Sequence, residues 1–139
     1  MKKILKFLVG LWDLLTGRRA YHNWALRNVN DWSDTVKKFL SGYRLDGVSG
    51  TDYLVEHLST VNVDLISMAY KGNSLVKPAE KIKGGQVSPL LIKVVDEIEN
   101  TRRALMNPAL RSTTLPSVVS RLRVSFDKLR EKLSTIEPI

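Results

Sequence analysis

The chain has no cysteine, and that absence alone removes disulfide scaffolds, thiolate zinc sites and cysteine nucleophiles. Histidine is nearly missing too. His22 and His57 are the only two, neither stands in a Glu-x-x-His pair, and adjacent Glu56 and His57 project to different helix faces. For each histidine a satisfied or exposed side chain is the expected state. No Gly-Lys-Ser/Thr follows Gly42, Gly47 or Gly50, so there is no phosphate loop. The stretch Asp46 to Asp52 lacks the acidic alternation and the closing Glu of a calcium loop. Asp96, Glu97 and Glu99 cluster, but without matching carboxylates at ligand spacing elsewhere they are expected on a solvated face. These gaps point to a protein that is not an enzyme and holds neither cofactor nor metal.

Long apolar runs are also absent. Ile4 to Leu15 is interrupted by Lys6 and Asp13 and is too short to span a bilayer. Met1-Lys2-Lys3 ahead of it has the outline of a signal peptide, yet no small-x-small cleavage site follows, so the segment is expected to be retained.

Positive charge is abundant. Among 139 residues, 22 Lys and Arg stand against 14 Asp and Glu, for a net charge of +8, which makes polyanions the natural partners: nucleic acid or an anionic membrane face. The length suits one domain with its own core. The charge is uneven along the chain. Residues 1–44 and the tail from Thr101 are basic, whereas Leu45 to Tyr70 contains no Lys or Arg and carries Asp46, Asp52, Glu56 and Asp64.

Apolar residues recur at three and four, which predicts an all-α fold of five helices. The first covers about 2–16, with Ile4, Leu5, Leu8, Leu11, Trp12 and Leu15 on one face, widened by Phe7 and Leu14, and Gly17 as its stop. The second runs from Ala20 to Ser41, with Tyr21, Ala25, Val29, Trp32, Val36, Phe39 and Leu40 inward, and Gly42 ends it. Ser49-Gly50-Thr51-Asp52 offers caps for a third helix through Tyr70, burying Leu54, Leu58, Val61, Leu65 and Met68. The β-branched alternation of Thr60 to Ile66 leaves a short strand as the alternative there. Lys71 to Gln86 reads as a long solvated connector. A fourth helix starts with Ser88 as cap and Pro89 at the first helical position and ends before Asn107-Pro108. A fifth begins near Thr114 to Pro116.

Two surfaces emerge. Seven of the ten aromatic residues, Phe7, Trp12, Tyr21, Trp24, Trp32, Phe39 and Tyr43, lie in the first 43 positions, interleaved with cations. Trp32 and Phe39 are expected in the protein's own core. Phosphate contacts are expected from Arg18, Arg19, Arg27, Lys37 and Lys38, with Arg121, Lys128 and Lys132 as a second stripe; no base-reading motif accompanies them. The first helix has an apolar face too wide for one small bundle, so Ile4, Leu8, Leu11, Trp12 and Leu15, with Trp24, are expected to contact lipid or another subunit.

A basic amphipathic arm, residues 1–19, followed by a bundle domain, residues 20–139, with helices at about 20–42, 51–70, 89–106 and 116–135, resembles in outline the major coat proteins of filamentous and rod-shaped archaeal viruses. The likeness is of architecture, size and basicity. It implies an N-terminal helical arm against double-stranded DNA and a four-helix bundle that packs on its neighbours along a virion filament. The subunits would be either identical or paired with a paralogous coat protein in a heterodimer. The alternative from the residues themselves is a peripheral, membrane-associated cytoplasmic protein anchored or membrane-remodelling through residues 2–16.

Overall fold

Helix α1, Lys2–Gly42, dominates the computed structural model, in which the backbone of residues 2–45 and 51–139 and the side chains of residues 17–45 and 51–139 are described. At 1.5 Å per residue α1 extends roughly 60 Å, twice the length of the bundle helices below. The expected stop at Gly17 does not occur, and the two predicted N-terminal helices are one. A lone glycine costs only about 1 kcal/mol against alanine in a helix, and no proline or turn partner accompanies Gly17 to break the ladder.

A seven-residue register explains which side of α1 turns inward. Ala25, Trp32 and Phe39 are spaced by seven, as are His22, Val29 and Val36, and all six are buried. Leu26 and Leu40 fill the same face. Tyr21, expected inward, is exposed because it falls outside this seam. Among the described side chains of α1, His22 is the first that is buried, and Gly17, Arg18, Arg19 and Ala20 are all exposed. Ile4, Leu8, Leu11 and Leu15 continue the register in sequence; their side chains, and that of Trp12, lie outside the described residues, as do Asp46–Gly50 of the rejected calcium loop.

The helix closes on Arg44, which takes a left-handed φ of 59°, with Leu45 N donating to Leu40 O at 2.7 Å and Arg44 N to Ser41 O at 3.2 Å. Glycine usually occupies such a position. Here the Arg44 guanidinium lies 4.9 Å from the Tyr53 ring centre, a cation–π contact that offsets part of the conformational cost.

The predicted third helix is broken at His57 into α2, Asp52–Glu56, and α3, Leu58–Ser74. No strand forms at Thr60 to Ile66, because Val61, Leu65, Met68, Ala69 and Gly72 fall on one helical face and are buried together. The long connector is mostly helical as well: α3 continues to Ser74, α4 covers Val76–Ala79, and a 3-10 turn covers Lys83–Gly85. Buried Leu75, Ala79 and Ile82 pin it to the core, and the positive φ of Gly84 and Gly85 turns the chain into the next helix. Helix α5, Val87–Met106, begins one residue before Ser88, so Ser88 is not its cap. Its buried hydroxyl instead donates to Val76 O at 3.3 Å, tying α4 to α5. Pro108 forces Asn107 into an extended conformation and ends α5, and α6, Leu115–Ser134, starts with Pro116 in its first turn.

Helices α1, α3, α5 and α6 make a four-helix bundle, with no strand among the described residues. Helix α5 packs on α3 and α6, and α1 closes the bundle across α3 and α6. The tightest junction is Gly72. A Cβ there would stand 2.6 Å from Val95 Cγ2 and 2.7 Å from Trp32 Cζ2, so α1 and α5 meet over α3 only because that position has no side chain. Trp32 is locked in place by its Nε1, which donates to Met68 O at 2.9 Å.

Candidate nucleic-acid interface

Five of the predicted phosphate ligands lie on α1. Arg18, Arg19, Arg27, Lys37 and Lys38 are exposed, and among the described residues none is held in a salt bridge. From Arg19 to Lys38 the row spans about 28 Å of helix axis, about eight base-pair steps of a DNA duplex. Asp31 and Asp34 interrupt it, and Asp34 is engaged by Arg130 of α6, whose Nη1 donates to Asp34 Oδ1 at 2.7 Å and to Ser33 Oγ at 2.8 Å.

The predicted second stripe does not join the first. Arg121, Lys128 and Lys132 share one face of α6, but Arg121 leans toward α5, where its Nε sits 3.4 Å from Glu97 Oε2. Two residues further along, hence roughly 200° around the helix, Arg123 and Arg130 form another pair spaced by seven. These two, which sequence reasoning missed, line an open groove between α1 and α6 together with Lys37, Leu40, Ser41, Phe126 and Asp127. The groove lining therefore holds three cations and one carboxylate, with Arg130 also paired to Asp34. The alternation Arg121-x-Arg123 and Lys128-x-Arg130 was visible in the sequence, but only packing decides which pair flanks α1.

The acidic cluster on α5 also departs from expectation. Asp96 is exposed, whereas the Glu97 side chain is only 4% exposed, between Lys93 Nζ at 3.3 Å from Oε1 and Arg121 Nε at 3.4 Å from Oε2. Arg121 makes a charge contact with Oε2 rather than an aligned hydrogen bond. Glu97 thus works as a strut between α5 and α6 and withdraws part of the Arg121 charge from any incoming anion.

The histidines bring no catalytic geometry. His22 is buried with Nδ1 3.1 Å from Asn23 Oδ1, while its Nε2 meets no hydrogen-bond partner, so it is less well satisfied than expected. Asn23 spends its amide on the main chain of Ile139, at 3.0 and 2.8 Å. His57 is exposed and packs against Tyr53 at a tilt of 57°, with ring centres 4.5 Å apart. Tyr43, beside them, donates its hydroxyl to Asp64 Oδ2 at 3.1 Å; burial and then that bond push its pKa above the ordinary value. Trp24, predicted as a contact residue, is 43% exposed and lies against Tyr21. Among the described residues no group of three metal-ligating side chains forms, and no helix is long and apolar enough to cross a membrane.

No protein-family profile, curated protein or solved structure matches this chain.

Proposed function

We propose that this protein is a structural, non-catalytic component that packages double-stranded DNA through its phosphates and self-assembles into a virion filament. The observation that carries the DNA-binding part is the set of exposed cations on α1, Arg19, Arg27, Lys37 and Lys38, of which Lys37 lines a groove whose other wall supplies Arg123 and Arg130. A long helix with exposed cations engages a regular array of phosphates without reading bases, and counterion release supplies the affinity. The assembly part draws on the resemblance to archaeal filament coat proteins and on the length of α1, which runs on from the bundle through four exposed residues, Gly17 to Ala20.

Duplex DNA of random sequence, bound to the full-length chain at increasing salt, tests the reading. If six or more phosphates are neutralised, affinity falls by about a thousandfold or more between 50 and 200 mM salt, with little sequence preference. The charge reversals Arg18→Glu/Arg19→Glu and Lys37→Glu/Lys38→Glu each abolish retention, because they turn attractions into repulsions. A chain that retains DNA after both reversals refutes the proposal. Flotation with anionic vesicles that depends on Leu8 and Trp12 favours the membrane-anchored alternative instead.

A further inference from the structure

The outer face of α3 stands apart from the rest of the surface. Val63, Ile66 and Tyr70 are 63%, 48% and 80% exposed, and with Ser59 they form a seam spaced four, three and four residues. Ser67 and Ser74 flank it, so the face carries no charge in a chain of which 26% is charged. Large apolar side chains rimmed by small uncharged ones mark a helix-packing surface. Toward the N-terminal end of α3 the chain is acidic, since no Lys or Arg occurs from Leu45 to Tyr70 and Asp52 and Glu56 are exposed there, whereas exposed Lys71 follows Tyr70 at the other end.

We propose that this face is the docking site for residues 2–16 of a second copy of the chain. The sequence of that segment places Ile4, Leu8, Leu11 and Leu15 at the same four, three, four spacing, and two seams of that period interdigitate as knobs into holes. In this arrangement its leucines pack between Val63, Ile66 and Tyr70, and Lys2, Lys3 and Lys6 are placed toward the acidic end marked by Asp52 and Glu56. The arm of the same chain does not reach this face. Helix α1 packs on the opposite, inner face of α3 through Trp32 and Met68 and is continuous from Lys2 to Gly42, so its first turns cannot fold back. One surface thus binds a different surface on the neighbour, and such a contact propagates into an open chain of subunits rather than closing as a dimer. The inference rests on the self-assembly half of the proposed function and names the contact that would drive it.

Because the chain has no cysteine, single thiols report contacts cleanly. Full-length Leu8→Cys and Ile66→Cys chains are mixed with a short bis-maleimide, with and without duplex DNA. The expected result is a covalent dimer from the mixture that is lost when Leu8→Cys is paired with Ser120→Cys, exposed on α6. In parallel, Val63→Glu/Ile66→Glu removes sedimenting assemblies without changing the melting curve, as both side chains are exposed. Absence of the mixed product under both conditions overturns the proposal. Equal product with Ser120→Cys, a stronger product from Ile66→Cys alone, or concentration-independent internal linkage in a Leu8→Cys/Ile66→Cys chain also overturns it, the last two by naming a second α3 or the chain's own arm as occupant. Retention of DNA by the same variants separates the two readings. If the docking site is wrong, salt-dependent DNA binding persists without the mixed dimer; if packaging is wrong, the dimer persists without DNA binding.

Discussion

Gly72→Ala adds one methyl group at the point where three helices meet. Its Cβ would lie 2.6 Å from Val95 Cγ2 and 2.7 Å from Trp32 Cζ2. Relaxed carbon pairs sit at about 3.5–4.0 Å, so each contact must open by about 1 Å. Val95 is embedded in α5, and Trp32 cannot retreat without stretching its 2.9 Å bond to Met68 O. Overpacking of this kind costs about 1–3 kcal/mol, and loss of the indole bond adds about 1 kcal/mol. The better helix propensity of alanine returns about 1 kcal/mol. The net loss of about 1–3 kcal/mol lowers Tm by roughly 3–10 °C for a chain of this size. Thermal melts followed by far-ultraviolet circular dichroism measure it, and Trp fluorescence reports displacement of Trp32. Gly17→Ala is the internal control: its Cβ meets nothing within 4 Å, so it raises helicity without lowering Tm. A Gly72→Ala chain that melts at or above the parent temperature, or a Gly17→Ala chain that loses as much, refutes the three-helix junction.

Tyr43→Phe changes the alkaline limb of stability. Burial and the bond to Asp64 raise the Tyr43 pKa above 10.0, so its contribution is complete below pH 10 and is lost as pH rises through the folded-state value. Denaturant titrations from neutral pH upward show the parent losing stability relative to Tyr43→Phe above pH 10, and parallel curves contradict the assignment. Glu97→Gln keeps the volume of the strut and removes its charge. Lys93 and Arg121 remain 61% and 56% exposed and stay hydrated, so the loss is about 1 kcal/mol and shrinks with added salt. A salt-independent loss of several kcal/mol in urea titrations contradicts this.

The sequence by itself determined the class of fold. Apolar spacing of three and four, with no proline beyond the first turn of any long helix, leaves an all-α chain, and burial of Ala25, Val29, Trp32, Val36 and Phe39 follows from one register. Pro108 ended α5 where expected, because its ring excludes a helical conformation for the residue before it. The exposure of Arg27 and Lys38 was equally legible, since they lie opposite the apolar seam, whereas Arg18 falls on the register of Ala25 and is exposed all the same. Tertiary structure decided the rest. Whether Gly17 breaks a helix depends on a balance of about 1 kcal/mol that local sequence leaves open. Ser88 bonds across to Val76, and Leu75, Ala79 and Ile82 turn a lysine-rich connector into part of the core, through partners distant in the chain. Glu97 is buried where Arg121 arrives from α6 to join Lys93 of its own helix beside the carboxylate. Arg123 and Arg130, rather than Arg121 and Lys128, face α1 because a helix carrying two cationic stripes presents to its neighbour whichever one the packing of its apolar face turns that way.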